Sequence, residues 1–181
     1  QLDDVVDLGI QVTGTLLPHE LMDLVVTRSH MLVPADLHAV FTCDTTRKTC
    51  RLRARHSNGS SKTHRITPSH RLHPEVESAL AETSTPLMGT TPFLTPAWMG
   101  HLVEHFGPLS SVIVAPFHSK DHLIGFLVVG RQSASSTFST EDMEKIEVLS
   151  AFSSIAIENA FVYEQTETAS QIDNLTRLYN F

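Results

Sequence analysis

The sequence predicts an α+β domain organised around an antiparallel sheet, and three observations carry that prediction. Two pairs of strand-length segments, "ADLHAVFTCD" with "CRLRARH" and "SVIVAPFHS" with "HLIGFLVVGRQ", are each joined by a short polar turn, the arrangement of a β-hairpin. Helical periodicity brackets them on both sides, over residues 2–33 and again from residue 140 onward. Strands returned by tight turns run antiparallel, because a parallel return needs a long crossover.

At 181 residues and 41% hydrophobic, the chain suits one domain of ordinary size with a full core. Thirteen basic against 20 acidic residues give a net charge of −7, which argues against a general binder of nucleic-acid backbones. Eleven histidines would add positive charge if the pH fell toward about 6. Two cysteines do not make a disulfide framework, so a reducing cytoplasm is the expected setting. The longest apolar runs, "SVIVAPF" and "LIGFLVVG", are strand-length and fall well short of the ~20 residues of a membrane helix. No signal peptide is present, and a membrane connection would need a segment upstream of Gln1.

The elements follow in order. Leu2, Val5, Val6, Leu8, Gly9 and Val12 form one helical stripe; Leu21, Leu24, Val25 and Met31 or Leu32 form a second after Pro18. In the first hairpin Leu37, Ala39, Phe41 and Cys43 alternate with His38, Val40 and Thr42. Its second strand sets Cys50, Leu52 and Ala54 against Arg51, Arg53 and Arg55, the arginines reading as one exposed face. Pairing Phe41 with Leu52 would place Cys43 opposite Cys50 on the apolar side.

Residues 57–108 have no clean period. "SNGSSKTH" reads as a loop, "PEVESALAET" as a short helix, and "TTPFLTPAWMGHLVEHFG" is broken by Pro92 and Pro96. Six histidines fall in or beside this interval, and long irregular stretches inside a domain are commonly functional or mobile. The second hairpin turns at Lys120–Asp121. Ser139 or Thr140 then caps a long helix with Glu141 and Asp142 in its first turn. Ile146, Leu149, Phe152, Ile155 or Ala156, and Ala160 keep a 3–4 spacing, and the helix continues, more polar, through "EQTETASQ".

The stretch "LIGFLVVGRQSASSTFSTEDMEKIEVLSAFSSIAIENAFVYEQ" resembles the C-terminal half of a GAF domain. Gly125, Leu127, Phe138, Asp142, Ala156, Ile157, Glu158, Asn159 and Ala160 carry the likeness, with Pro116 in the preceding strand. The tail "DNLTRLYN" is similar to the opening motif of GGDEF domains, D-x-L-T-G-L-x-N-R. Asp173, Leu175, Thr176, Leu178 and Asn180 match it, while Arg177 stands for the glycine and Phe181 for the arginine. The resulting plan is a GAF sensory domain over residues 1–165, then a signalling helix and the truncated start of a GGDEF domain over 166–181.

This resemblance implies an antiparallel sheet of about six strands, terminal helices on one face and a ligand pocket on the other. It implies a cytoplasmic homodimer, joined through its N- and C-terminal helices, that controls a downstream diguanylate cyclase making cyclic di-GMP from GTP. The fragment itself would not be an enzyme. No histidine has a motif-placed serine, cysteine or carboxylate partner, and no nucleic-acid partner is expected.

GAF domains bind cyclic nucleotides, bilins, haem, iron, other small metabolites, or nothing. A bilin needs a cysteine beside a histidine, and Cys43 and Cys50 lack one; they read as small buried side chains or as a reversible disulfide pair. His101 and His105 have a zinc-like spacing, with His70 and His73 as further ligands, but no cysteine or carboxylate completes a motif, so no metal is assigned. Haem held by one histidine is an alternative. A cyclic nucleotide, cyclic AMP before cyclic GMP, is the expected ligand. Phe41, Phe93, Trp98 and Phe117 would form the slot for the base, and Arg65, Thr95 and His101 would supply polar contacts. Half of a cyclic-nucleotide motif, N-K…F-x-x-x-D-E, is present: Phe138 and Asp142 match, Met143 replaces the glutamate, and Arg131–Gln132 lie near the Asn–Lys position. The rival readings are a ligand-free dimerisation module and a haem or metal redox sensor.

Overall fold

The computed structural model describes residues 17–57, 59–63, 69–89 and 109–179, with side chains described as far as Phe161 in the last helix. The helix expected over 2–12 and the Pro92–Pro96 segment lie outside the described residues. Helix α1 (Pro18–Leu32) begins at a proline, whose fixed φ suits a first turn and whose missing N–H would have had no partner there. Its buried stripe is Leu21, Met22, Val25, Val26 and Ser29. Of the alternatives Met31 and Leu32 at its end, Leu32 packs against the core and Met31 is 59% exposed.

Strands β1 (Leu37–Asp44), β2 (Thr49–Ser57), β3 (Ser60–Thr63), β4 (His70–Arg71), β5 (Leu87–Gly89), β6 (Ser111–Ser119) and β7 (His122–Arg131) form one antiparallel sheet. Its order is β3-β2-β1-β7-β6-β5, with β4 paired to the outer part of β2. The seventh strand over the expected six comes from the aperiodic interval, where β3, β4 and β5 are too short to show alternation. Part of the "SNGSSKTH" loop is therefore strand, returned at Gly59 with φ +77°. The β6–β7 hairpin turns on Lys120 (φ 49°) and Asp121 (φ 67°), two left-handed residues whose twist matches that of the strands.

The first hairpin adopts the expected register, Phe41 opposite Leu52 and Cys43 opposite Cys50. A bulge between Val40 and Phe41 then inserts Arg53, so Val40 faces Ala54. Ala54 consequently leaves the face of Cys50 and Leu52, where simple alternation puts it. The three arginines are split as well. Arg51 lies opposite Thr42, Arg55 opposite Ala39, and Arg53 stands at the bulge over the Phe161 ring, 5.3 Å from its centroid.

Two apolar layers sandwich the sheet. On one face Val40, Ala54, Ile113, Ala115, Phe117, Leu127 and Val129 pack against α1 and helix α3 (Thr140–Tyr179), through Ile146, Leu149, Ala156 and Ile157. On the other, Leu37, Ala39, Phe41, Val112, Val114, Phe126 and Val128 meet Val76 and Leu80 of helix α2 (Pro74–Ala81). Because β6 and β7 are buried on both faces, their sequences are continuous apolar runs without alternation.

Helix α3 starts with a reciprocal cap. The Asp142 N–H donates to Ser139 Oγ at 3.1 Å, and the Ser139 N–H donates to Asp142 Oδ2 at 2.9 Å. From there the helix runs 40 residues without a break. At 1.5 Å per residue that is about 60 Å, longer than the sheet it packs on. Ala156, not Ile155, is the buried member of the ambiguous pair; Ile155 is 53% exposed.

Candidate functional site

The sheet face away from α1 and α3 is floored by two stacked rings. Phe41 and Phe126 are cross-strand partners with centroids 5.0 Å apart and planes 18° from parallel. Gly125 permits this close approach of β1 and β7, since a Cβ there would lie 2.3 Å from the Phe41 carbonyl oxygen. Helix α2 covers part of the face through Val76 and Leu80, and His118 Nε2 lies 2.9 Å from the Leu80 carbonyl. Arg71 lines an open cavity of about 510 Å³ on the outer side of α2, beside the Lys48–Glu77 ion pair.

Of the seven residues expected at the ligand site, Phe41 and Phe117 are described. They do not meet. Phe41 belongs to the α2 face and Phe117 to the face packed on α1 and α3, where it is fully buried. Adjacent β6 residues point to opposite sides, and Phe117 shares its side with Ile113 and Ala115. A two-sided apolar strand gives no sequence signal for that choice. Arg65, Phe93, Thr95, Trp98 and His101 lie outside the described residues.

The half motif has structural employment at each described position. Arg131 donates from Nη2 to the Pro34 carbonyl at 2.9 Å and from Nη1 to the Thr137 carbonyl at 2.9 Å. Its guanidinium also stacks 4.4 Å from the centroid of buried Phe138. The Gln132 N–H donates to Asp36 Oδ2 at 2.8 Å, and Asp142 caps α3. These residues knit the β7–α3 loop to the start of β1.

A second group was invisible in the sequence. Buried His38 of β1 and His56 of β2 meet half-buried His30 of α1 on the α1 side of the sheet. The rings of His30 and His56 stack at 4.2 Å, and His30 meets His38 edge-on at 5.2 Å. Ser29 Oγ is 2.6 Å from His38 Nδ1. His30 Nδ1, His38 Nε2 and His56 Nδ1 are buried without a hydrogen-bond partner. Burial, then the neighbouring His30 and His56 and Arg131, pushes His38 down to about 3, and burial lowers His56 as well. His38 therefore stays neutral where an exposed histidine would charge. The bulge at Arg53 brings His56 to this side, and a bulge has no signature in alternation. Among the described residues no group of three His, Cys, Asp or Glu side chains is placed to hold a metal ion. His73 serves the fold instead, its Nδ1 accepting the Glu75 N–H at 3.3 Å to cap α2.

At the hairpin end of the sheet an open cleft of about 770 Å³ is lined by Cys43, Cys50, Arg51, Arg53, Leu123 and Phe161. Arg51 donates to Ser69 Oγ at 2.9 Å and Arg53 to Thr42 Oγ1 at 3.4 Å. Both cysteines are free. Burial pushes the Cys50 thiol up to about 11 and raises Cys43 further.

An antiparallel sheet is thus backed on one face by an N-terminal helix and a long C-terminal helix, and it keeps a separate apolar layer on the other. The chain belongs to the GAF domain family, whose profile matches residues 18–157. GAF domains are regulatory rather than catalytic modules. The fold is similar to that of the GAF domain of a phosphoenolpyruvate-protein phosphotransferase from Coxiella burnetii. That likeness has a TM-score of 0.66 at 18% identity over 91% of this chain and 96% of that one. A phycocyanobilin-bound GAF domain from a cyanobacterial phytochrome superposes with a TM-score of 0.64 at 13% identity, over 88% of this chain and 94% of that one. The GAF domain of a putative sensor histidine kinase from Pseudomonas syringae pv. tomato gives 0.59 at 19% identity, over 91% and 90%. No curated protein matches the chain. Among the described residues no helix is long and apolar enough to cross a membrane.

Proposed function

We propose that this GAF domain is a cytoplasmic small-molecule sensor that controls a C-terminal diguanylate cyclase through α3. The unbroken run of α3, from core contacts at Ile146 and Leu149 to its end at Tyr179 within "DNLTRLYN", is the observation that carries this reading. A rigid helix anchored in the sensor core transmits a shift or rotation to whatever it leads into. The output assignment rests on the similarity of that motif to the opening of GGDEF domains. Cyclase output needs two such domains face to face, so the reading includes a homodimer through the terminal helices. Ile155, 53% exposed on α3, is an apolar group suited to that seam.

For the ligand, we assign a cyclic nucleotide, cyclic AMP before cyclic GMP, to the Phe41–Phe126 face. Phe93 and Trp98 complete the slot for the base, and Arg65, Thr95 and His101 supply the polar contacts. Phe117 lies on the opposite face and takes no part in this slot. A second reading has its own support: Phe41 and Phe126 are already buried, at 1% and 0% exposure, and the half motif is spent on structure. On that reading the domain dimerises and spaces the output without a ligand.

Thermal unfolding with cyclic AMP, cyclic GMP, AMP, GTP and cyclic di-GMP at one high concentration separates the two. A ligand at 100 times its dissociation constant adds about 2.7 kcal/mol and raises Tm by several degrees. A selective rise with a cyclic nucleotide supports the sensor, and no rise with any compound supports the ligand-free module.

A further inference from the structure

We infer that Cys43 and Cys50 form a reversible disulfide across the β1–β2 hairpin, giving the domain an oxidant input independent of any nucleotide ligand. The chain contains two cysteines in 181 residues, and the fold makes them direct cross-strand partners. Residues opposite one another in an antiparallel pair have Cα atoms about 4.5–5.5 Å apart, inside the range of about 4.4–6.8 Å that a disulfide spans. Partner side chains also project to one face, here the side of Phe41 and Leu52. The register is continuous from Phe41 to Asp44, the bulge lying before it. The turn beyond is held by Asp44 Oδ1, which accepts the Thr46 and Arg47 N–H groups at 3.0 and 3.1 Å. The two thiols are therefore presented by a hairpin that needs little rearrangement to join them.

Access is graded in a useful way. Cys50 is buried at 4% exposure, whereas Cys43 is half-buried and both line the open cleft. At rest both thiols are protonated, because burial raises them well above neutral pH. Both peroxide attack and disulfide exchange use the thiolate, so the pair reacts slowly at neutral pH, and the oxidant we assign to it is a two-electron one, a hydroperoxide. Cys43, whose thiol is raised the further but which has more surface in the cleft, loses its proton and attacks one peroxide oxygen. The O–O bond breaks, and water leaves with hydrogen peroxide as the oxidant. The resulting sulfenic acid is attacked by Cys50 sulfur, the S–S bond forms, and a second water departs. Two thiols are oxidised by two electrons in all, and a thiol reductant reverses the change by exchange.

The position gives the bond a consequence. Arg53, three residues beyond Cys50 on β2, covers Phe161 of α3. A covalent tie at the hairpin end stiffens the strands on which this contact with α3 is mounted.

The test uses the folded chain, reduced and then freed of reductant, exposed to hydrogen peroxide and alkylated in denaturant. Trypsin cuts after Arg47 and Lys48, so Cys43 and Cys50 fall in separate peptides held together only by an S–S bond. The expected result is that linked pair, lighter by two hydrogens than the sum of its parts, restored to two alkylated peptides by dithiothreitol. Cys50→Ser should leave Cys43 as a sulfenic acid that a dimedone probe traps. Two alkylated peptides after peroxide, independent over-oxidation of both, or disulfides only between chains would overturn the inference. Glutathione disulfide in place of peroxide asks whether exchange alone closes the bond. The linked pair there would overturn the assignment of a hydroperoxide as the oxidant, and its absence is the expected result.

Discussion

Ser139 and Asp142 satisfy each other's backbone N–H at the first turn of α3, each side chain accepting from the other residue's main chain. The acidic residue of F-x-x-x-D is thereby a helix cap, and Phe138 beside it is a buried platform for Arg131. Replacing either capping residue with alanine should cost about 1 kcal/mol of stability in urea unfolding. A ligand role for Asp142 would add a loss of nucleotide affinity in folded protein, and the capping account predicts none.

The buried histidines make the domain acid-sensitive in a defined window. His38 has a folded value of about 3 against 6.5 in an ordinary setting, so above 6.5 it is neutral in both folded and unfolded chains. Below that the unfolded chain takes a proton that the folded chain refuses, so stability falls as pH drops from 6.5 toward 3. The loss from His38 alone is about 2 kcal/mol by about pH 5, and His56 acts in the same direction. Arg131 reinforces the exclusion of charge at His38, while Asp23 favours the charged form of His56. His38→Asn, which keeps a polar partner for Ser29, should flatten the dependence of Tm on pH between about 7 and about 5.

Two glycines should respond differently to alanine. At Gly125 the new Cβ would stand 2.3 Å from a backbone oxygen of β1 that cannot rotate away. Gly125→Ala should therefore cost about 3 kcal/mol by forcing β1 and β7 apart. Gly59 has φ +77° and open space around it, so Gly59→Ala carries only the left-handed backbone cost of about 1 kcal/mol. Equilibrium denaturation of both variants checks the order.

Arg131 should resist conservative exchange. Its planar fork reaches the Pro34 and Thr137 carbonyls at once while lying over Phe138. A lysine ammonium cannot make that set, so Arg131→Lys should lower Tm by nearly as much as Arg131→Ala.

Much of this fold was legible in its two long hairpins. The alternation of Leu37, Ala39, Phe41 and Cys43 fixed the first hairpin's register, and the two-residue turn fixed the second. Ser139 and the 3–4 spacing from Ile146 marked α3. Where both faces are apolar the pattern carries no side, so Phe117 could not be assigned to its layer. Where one residue is inserted, as at Arg53, alternation past it is inverted, which misplaced Ala54 and hid His56 from its partners His30 and His38. The site was less legible than the fold, because sequence resemblance names residues that can build a pocket but also recurs where they serve as caps and platforms.

Trp98 is the single tryptophan of the chain and belongs to the proposed nucleotide slot. The most direct measurement is a titration of its fluorescence with cyclic AMP, run beside cyclic GMP and AMP. The account predicts a saturable change with one cyclic nucleotide bound per chain, weakened by Phe41→Leu in protein that remains folded. No change with either cyclic nucleotide, in folded protein, would contradict the ligand assignment and leave a GAF domain that works by dimerisation alone.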